Sequence, residues 1–313
     1  MRLTNMMMIN NLMYNLGKTS KNVYKYSNQI QTGKQFQFPS DAPVNAAKSI
    51  RYKTDISKVE QYQKNTEDAN EILKATESAI NSYNEILGRV KELSTQAANT
   101  TYGINDMQAI REEVEQLKAE VVRIANTEYN GKYLFSGYKT DQRLLNDDGT
   151  YNIDVIIKDG MYEENGEMVE KTEETINYDI GFGGKLQVNT LGPNVFGKAD
   201  VGEKAGIIGV FDQLIAGLAS DDKTMIRQAG GAVEDYQQVE LDALADIGAR
   251  MNRLALTQNR LTSSLSDLEE ALSLNEDIDY AEVITKLASE KSVYNASLMT
   301  GAKVIQKSLI DFL

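Results

Sequence analysis

The sequence of 313 residues contains no cysteine, no histidine and no tryptophan, and only three prolines. Without cysteine the chain has no disulfide, no thiolate nucleophile and no zinc–thiolate site. Without histidine it lacks the most common general base and the most common zinc ligand. We therefore expect a protein that is not an enzyme and that has no catalytic residue, no metal site and no cofactor.

Long apolar runs are also missing. No stretch approaches 18 consecutive apolar residues, so we expect no transmembrane helix and no membrane insertion. The opening "MRLTNMMMINNLMYNLG" is interrupted by asparagines, and a cleaved signal peptide is not expected. The formal net charge is −13, which disfavours binding to nucleic acid, because phosphate contacts need clustered lysine and arginine.

What the chain does contain is helical periodicity. An apolar stripe with steps of three and four residues opens the sequence and predicts a helix of coiled-coil type. Its members are Ile9, Leu12, Leu16, Thr19, Val23, Tyr26 and Ile30. Gly33 follows where a glycine often ends a helix. The connector "QTGKQFQFPSDAPVNAAKSI", which begins at Gln31, holds two of the three prolines.

A second, long helix is predicted after the connector, with Pro43 in its first turn and Ser40 or Asp41 as its N-cap. Its stripe consists of Ala69, Ile72, Thr76, Ala79, Tyr83, Ile86, Val90, Leu93 and Ala97. After a turn around Gly103, a shorter antiparallel helix is predicted from Ile110, Val114, Leu117, Val121 and Ile124.

The helical period then disappears. Asn130-Gly131 predicts a tight turn. The stretches "YNIDVIIKDG" (151–160) and "TINYDIGFGGKLQVNT" (175–190) predict strands, with turns at Asp148-Gly149 and Gly183-Gly184. We therefore predict a small β-rich insertion over residues 140–200.

Helices resume at Gly206, and the longest stripe of the chain follows. Its members are Ile226, Ala229, Val233, Tyr236, Glu240, Leu244, Ile247, Met251, Leu254, Gln258, Leu261, Leu265, Leu268 and Leu272. A last stripe runs to the end of the chain through Ile284, Leu287, Lys291, Tyr294, Leu298, Gly301, Ile305, Ser308 and Phe312. Such sustained three-and-four spacing favours coiled-coil packing over a compact globule.

The predicted fold is mainly α. The N- and C-terminal halves form a long antiparallel coiled-coil-like bundle, because neither long stripe can be buried alone, and a small β-rich domain is inserted at the far end. We predict three domains. They are an inner terminal-helix domain (1–42 and 280–313), a long-helix bundle (43–139 and 201–279) and the outer insertion (140–200).

The terminal helices pose a physical problem, since a hairpin of two helices buries only one stripe of each. Ordering the backbone costs about 1–2 kcal/mol per residue, so we expect these helices to become ordered only when further subunits pack around them. The predicted assembly residues are Ile9, Leu12, Leu16, Val23, Tyr26, Ile30, Ile284, Leu287, Tyr294, Leu298, Ile305, Leu309 and Phe312. The predicted hinge to the long-helix domain contains Gln31, Thr32, Gly33, Pro39, Ser40, Asp41 and Pro43.

Several phrases of the sequence resemble the flagellin superfamily and, within it, the hook-associated protein 3 family of hook–filament junction proteins. They are "MRLTNMM", "QIQTGKQFQFPSDAPVNAAKSIRYKTDI", "LSTQAANTT", "ANTEYNGKYLFSG", "IGARMNRL" and "KSLIDFL". The resemblance covers most of residues 1–138 and 240–313 and does not rest on the β insertion, which is the variable part of the superfamily.

The resemblance implies a structural protein that is exported unfolded, without a cleaved signal peptide, and that forms a ring outside the cell between hook and filament. The implied partners are further copies of the chain, the first hook-associated junction protein, flagellin, an export chaperone and the export apparatus. The terminal helices would surround the central channel, and the insertion would lie on the outer surface.

Two alternatives stay open. Filament flagellin usually has "DDAAG" where this chain has "SDAPVNAA" (40–47), and it tends to end in a leucine-rich phrase where this chain has "SLIDFL". A secreted coiled-coil adhesin or adaptor would need a binding site in the insertion. An enzyme displayed on the insertion is disfavoured, because a His-Glu-x-x-His zinc site cannot be built without histidine.

Overall fold

A computed structural model describes residues 5–99, 104–158, 160–164 and 167–310, with side chains for 7–98, 105–158 and 172–302. Its helices are α1 (Asn5–Thr32), α2 (Pro43–Asn99), α3 (Ile104–Ala125), α4 (Gly192–Phe196), α5 (Gly206–Ser220), α6 (Lys223–Glu276) and α7 (Tyr280–Ile310). Its strands are β1 (Glu128–Tyr129), β2 (Lys132–Tyr133), β3 (Gly160–Glu164), β4 (Glu167–Lys171), β5 (Asn177–Asp179) and β6 (Lys185–Gln187). The strands pair as antiparallel hairpins, β1 with β2, β3 with β4 and β5 with β6. The predicted fold class, mainly helical with a small β region, is confirmed.

The contacts divide the chain into two compact units. The first unit consists of residues 1–59 and 263–313, and the second unit of residues 60–262. Both boundaries fall inside a long helix, one in α2 and the other in α6. None of the described helices is long and apolar enough to cross a bilayer. The division into three domains made from the sequence stays a prediction.

In the second unit, α2 and α6 run antiparallel, as predicted. Gln63 Nε2 donates to Thr262 Oγ1 at 3.4 Å. Further along the pair, Lys91 Nζ lies 3.1 Å from a carboxylate oxygen of Glu234. At the far end of α2, Lys223 Nζ donates to the carbonyl of Ala97 at 2.9 Å. As the residue number rises along α2, the number of the contacting residue on α6 falls, which defines an antiparallel pair.

One continuous core fills the second unit. It extends in sequence from Ala69 to Leu254 and includes most of the predicted α2 stripe. The segment 140–200 contributes to the same core, and Phe196 packs against Tyr83 and Phe135 with ring centroids 5.1 and 5.3 Å away. The helices and the inserted segment therefore share one hydrophobic interior.

The strand predicted over 151–160 is wrong for most of its length. Residues 152–158 form no strand, although Ile153, Val155 and Ile156 are buried. The backbone of this segment bonds to separate loops, since Asn152 N–H donates to Leu144 C=O and Glu174 N–H donates to Ile156 C=O, both at 2.9 Å. Alternating burial therefore occurs here without a neighbouring strand to make a ladder.

The β5–β6 hairpin closes at the predicted turn and lies on the long helices of the second unit. Gly181 has φ +81°, and a Cβ there would come within 2.7 Å of the Tyr62 ring, so the position requires glycine. The guanidinium of Arg260 lies 4.0 Å from the centroid of the Phe182 ring. This cation–π contact fastens the turn to α6.

The α6 stripe contains one acidic residue, Glu240, which is fully buried. Among the described residues, neither of its carboxylate oxygens has a hydrogen-bond partner, and the same is true of the buried hydroxyl of Tyr83. Burial raises the pKa of Glu240 to about 8. Burial also raises the pKa of Tyr83, with a further contribution from the nearby Tyr236 and Glu240. Within the described part of the chain, α2 and α6 therefore bury a carboxyl group and a hydroxyl group that have no hydrogen-bond partner.

Candidate assembly site: the terminal helix pair

Helices α1 and α7 pack against each other in the first unit, in antiparallel orientation. Gly33 at the end of α1 lies beside Tyr280 at the start of α7. Midway along the pair, Asn22 Nδ2 donates to Glu290 Oε1 at 3.0 Å. Towards the other end, a Cβ on the buried Gly301 would come within 2.6 Å of Leu12 Cδ2. Glycine at this position thus lets the two helices approach closely.

The predicted assembly residues of α1 lie on the side of the helix that is partly covered. Each is half-buried: Ile9, Leu12, Leu16, Val23, Tyr26 and Ile30. The remaining surface of α1 is also apolar in places, because Met7, Met8, Met13, Tyr14 and Tyr24 are all exposed, the two tyrosines at 74%. The pairing with α7 therefore leaves much apolar surface of α1 uncovered.

On α7 the predicted stripe divides into two groups. Leu287 and Tyr294 are half-buried, whereas Ile284 and Leu298 are 52% and 44% exposed. The covered side of α7 instead runs through Val283, Leu287, Glu290, Tyr294, Ser297 and Gly301. Sequence reasoning missed Val283, Glu290 and Ser297. The only signal for them was that each directly precedes a residue of the predicted stripe.

The last three predicted assembly residues have no side-chain description. Ile305 and Leu309 belong to α7, but their side chains lie outside the described ones, and Phe312 lies outside the described residues altogether. An assembly role for all thirteen predicted residues stays a prediction, since the structure contains a single chain.

The predicted hinge contains Gly33, which ends α1 as expected. Gly33 has φ +71°, and its N–H donates to Gln29 C=O at 2.8 Å. This left-handed conformation after the last helical residue is the usual role of glycine at a helix C-terminus. Gln31 and Thr32 are exposed within the last turn of α1.

The chain is then bonded to the link between α6 and α7. Gln35 N–H donates to Glu276 C=O at 2.7 Å, and Ile278 N–H donates to Gly33 C=O at 3.1 Å. Lys34 and Asp277 stand opposite each other as an isolated antiparallel bridge. We call this paired segment, residues 33–35 with 276–278, the joint. The first part of the predicted hinge is thus bonded to a second, distant segment of the same chain.

Charges reinforce the joint. Lys34 Nζ lies 2.7 Å from Asp277 Oδ1, and Lys53 Nζ lies 2.9 Å from Glu276 Oε1. The hydrogen bond with Lys34 lowers the pKa of Asp277, and the same bond raises the pKa of Lys34. Because Lys34 and Asp277 are each about 40% exposed, solvent screens the pair and its contribution to stability is small.

The proline-containing part of the hinge is exposed, and its predicted capping role is wrong. Helix α2 begins at Pro43, so neither Ser40 nor Asp41 occupies the position just before it. Asp41 closes a turn instead. Its N–H donates to Phe38 C=O at 3.0 Å, and its carboxylate accepts the N–H of Phe38 at 3.2 Å. Pro39 and Ser40 form the exposed tip of this turn.

Known proteins share both the sequence and the architecture of these helices. A family model described as the bacterial flagellin N-terminal helical region matches residues 3–140. Flagellin from Bacillus subtilis (strain 168) is 26% identical over 307 residues, which cover 92% of this chain and 90% of that protein. A flagellin from Clostridium tyrobutyricum is 32% identical over 134 residues, 42% of this chain and 36% of that one. The N-terminal helical part of the chain therefore resembles that of flagellins.

Solved structures of flagellar proteins share the fold. A flagellar hook-associated protein from Vibrio parahaemolyticus superposes with a TM-score of 0.62 at 20% identity, covering 75% of this chain and 99% of that one. The flagellar junction protein FlgL from Legionella pneumophila superposes with a TM-score of 0.54 at 16% identity, covering 73% and 99%. The resemblance to the flagellin superfamily is confirmed, and the fold is that of flagellar hook-associated proteins.

The flagellin-superfamily match includes half of the candidate assembly site. Residues 3–140 contain α1, the proline turn, α2, α3 and the β1–β2 hairpin. Helix α7 lies beyond this region, and it pairs with α1 inside the first unit.

Proposed function

We propose that this protein is a structural subunit of the bacterial flagellum, and that copies of it form a ring outside the cell at the junction of hook and filament. In this ring the α1–α7 pair packs against neighbouring copies. The subunit adapts the hook to the filament and catalyses no reaction. Its fold is the one found in flagellar hook-associated and junction proteins, which supports this assignment.

The observation that carries the proposal is the position of the buried core. The core cluster lies between Ala69 and Leu254, inside the second unit. Of the described hydrophobic side chains in the first unit, only Ala46, Val59 and Val283 are buried. A helix pair that leaves its apolar side chains in water gains stability when another surface covers them, at about 25 cal/mol per Å² of apolar area.

The exposed side chains of the first unit suit such covering. The large exposed ones are Met7, Met8, Met13, Tyr14, Tyr24, Phe38, Val44, Ile50, Leu274, Tyr280, Ile284, Val293, Leu298 and Met299. Exposed apolar surface of this extent usually marks an interaction site. Methionine is well adapted to it, because its flexible thioether fits irregular partner surfaces.

The proposed partners follow from the superfamily. They are further copies of the chain in the ring, the first hook-associated junction protein on one side and flagellin on the other. Before assembly, an export chaperone covers the terminal helices and the export apparatus reads the N-terminal segment. The prediction that α1 and α7 become ordered only on assembly is part of this proposal.

A second candidate function is that of filament flagellin itself. The match with Bacillus subtilis flagellin favours this function, because it covers 90% of the length of that flagellin. The two functions differ in the phenotype of a deletion. A strain without the junction protein bears hooks and releases unpolymerised flagellin into the medium. A strain without flagellin bears hooks and releases none. Electron microscopy of hooks and immunoblotting of the culture medium separate the two candidates.

The assembly site is tested by complementing the deletion with Leu298→Asp. Leu298 is exposed on α7, so we expect the variant to be exported and to fail in assembly, while the unfolding of the second unit stays within about 0.5 kcal/mol of wild type. Leu256→Asp is the matched control, because Leu256 is exposed at 72% in the second unit. It should restore motility. Equal motility of the two variants would contradict the proposed site.

A further inference from the structure

We infer that a row of exposed lysines on α1 docks against an exposed acidic row on α6 of a second copy of this chain. The first row, which we call the lysine stripe, consists of Tyr14, Lys18, Lys21 and Lys25. The second, the acidic stripe, consists of Asp267, Glu270 and Leu274. This inference deepens the proposed function and rests on it, because it states how two copies in the ring recognise each other.

The lysine stripe stands out against the charge of the whole chain. The net charge is −13, yet no aspartate or glutamate precedes Asp41. Steps of four, three and four residues place the members of the stripe on one face of α1. All four are exposed. No ion pair joins any of these lysines to a carboxylate of the described residues.

Within one chain this arrangement is unfavourable. Lys21 and Lys25 are four residues apart on a helix, a spacing at which like charges repel. Along α1 there is no acidic residue to offset them. A row of like charges held on one face is therefore better satisfied by an external acidic surface than by the helix itself.

The acidic stripe offers the complementary pattern. Asp267, Glu270 and Leu274 follow steps of three and four residues on the part of α6 that belongs to the first unit, and all three are exposed. Leu274 is 77% exposed. Among the described residues, neither carboxylate has an ion-pair partner.

The two stripes match when the helices are antiparallel. Tyr14 then faces Leu274, Lys18 faces Glu270 and Lys21 faces Asp267, because the steps of four and three residues are the same in both rows. The apolar contact at one end and the two ion pairs beside it together define a single register of the two helices. Exposed ion pairs add little affinity, so their main effect is on orientation and choice of partner.

The experiment is a charge swap in the full-length chain, expressed in the deletion strain. Lys18→Glu with Lys21→Glu places two like-charged pairs at the contact, and we expect motility to fall at least about tenfold. Adding Asp267→Lys and Glu270→Lys to the same chain should restore it. Lys64→Glu with Lys74→Glu, at exposed lysines of α2 in the second unit, is the matched control and should leave motility unchanged.

Cross-linking gives a second readout, since the chain has no cysteine of its own. Lys18→Cys with Glu270→Cys should give disulfide-linked dimers and larger species in isolated flagella, whereas Lys18→Cys with Leu256→Cys should not. The inference fails if the fourfold swap is no better than the double variant, or if a motile cysteine strain gives only monomer. Failure of the wild-type gene to restore motility would instead contradict the proposed function.

Discussion

The two units are built from the same two long helices and differ in what covers them. In the second unit, α2 and α6 meet α3, α5 and the inserted segment, and a continuous core from Ala69 to Leu254 is closed off from water. In the first unit, the same two helices and the α1–α7 pair bury little, although their stripes have the same periodicity. Helical pattern alone therefore does not decide stability. Stability depends on how many other parts of the protein pack against each apolar stripe.

The largest expected difference between the units is in hydrogen exchange of the free protein. Amides of α1 and α7 should exchange at least about 100-fold faster than those of α2 and α6 in the second unit, because segments with few buried contacts open at low free-energy cost. Mass spectrometry of peptides from the purified chain measures this ratio. Comparable protection of the two regions would show that the terminal pair is stable without partners.

The same substitution, phenylalanine to alanine, can be made in both units, and its effect on the free energy of unfolding can be compared. Phe135 is fully buried in the second unit, and Phe38 is 60% exposed in the first. Phe135→Ala should lower the free energy of unfolding by about 3–5 kcal/mol through loss of packing and formation of a cavity. Phe38→Ala should change it by less than about 0.5 kcal/mol. Urea unfolding followed by circular dichroism measures both, and similar losses would remove the distinction between the units.

The buried Glu240 makes the stability of the second unit depend on pH. Its pKa of about 8 in the folded chain lies above the ordinary value of 4.5, so between these values the folded state keeps a proton that the unfolded state releases. Stability from this group is complete below about pH 4.5 and is lost as the pH rises towards 8.

Glu240→Gln should abolish this loss, reducing the fall in unfolding free energy between pH 5 and pH 8.5 by roughly 2–4 kcal/mol. Urea titrations at the two pH values provide the measurement. Asp235→Asn, at an exposed position of the same helix, is the control and should keep the wild-type pH dependence. An unchanged slope for Glu240→Gln would mean that water reaches its carboxylate.

The smallest effect concerns two glycines of the first unit. Gly33→Ala places a side chain at φ +71° and 3.0 Å from the Tyr280 hydroxyl, and should destabilise the end of α1 by about 1–2 kcal/mol. Gly17 is exposed within α1, and no atom of the described residues lies within 4 Å of its Cβ position, so Gly17→Ala should stabilise the helix by about 1 kcal/mol. Local hydrogen exchange in α1 reports both changes, which should have opposite signs.

The helices of the second unit were predictable because their stripes meet a core. Predicted residues such as Tyr83, Val90, Ile247 and Leu254 are all buried. Periodicity specifies one face of a helix, and a single continuous interior leaves no choice about which face it is. Even Glu240 was placed correctly in its stripe, although spacing gave no sign that it would be buried without a partner.

The stripe of α7 was only partly predictable for the opposite reason. Val283 and Ile284 are adjacent apolar residues, and either can begin a three-and-four pattern. The contacts of α7 with Leu12 and Asn22 of α1 bury the side of α7 that contains Val283 and Gly301. Ile284 and Leu298 stay exposed as a result. The choice depends on a helix more than 250 residues away in the chain, which local spacing does not contain.

The inserted segment and the joint show a second limit. The turns at Asn130-Gly131, Asp148-Gly149 and Gly183-Gly184 were predictable, because positive φ angles restrict the residue type. Whether an alternating run such as 151–158 becomes a strand depends on a neighbouring chain to bond with. The pairing of Gly33–Gln35 with Glu276–Ile278 likewise depends on two distant links meeting.

That joint has a mechanical consequence. A single covalent connection lets the segments that it joins swivel about each other, whereas the joint, which lies inside the first unit, is crossed by the backbone twice, with hydrogen bonds between the crossings. Two bonded crossings resist local twisting, because rotation of one segment against the other would break the hydrogen bonds between them.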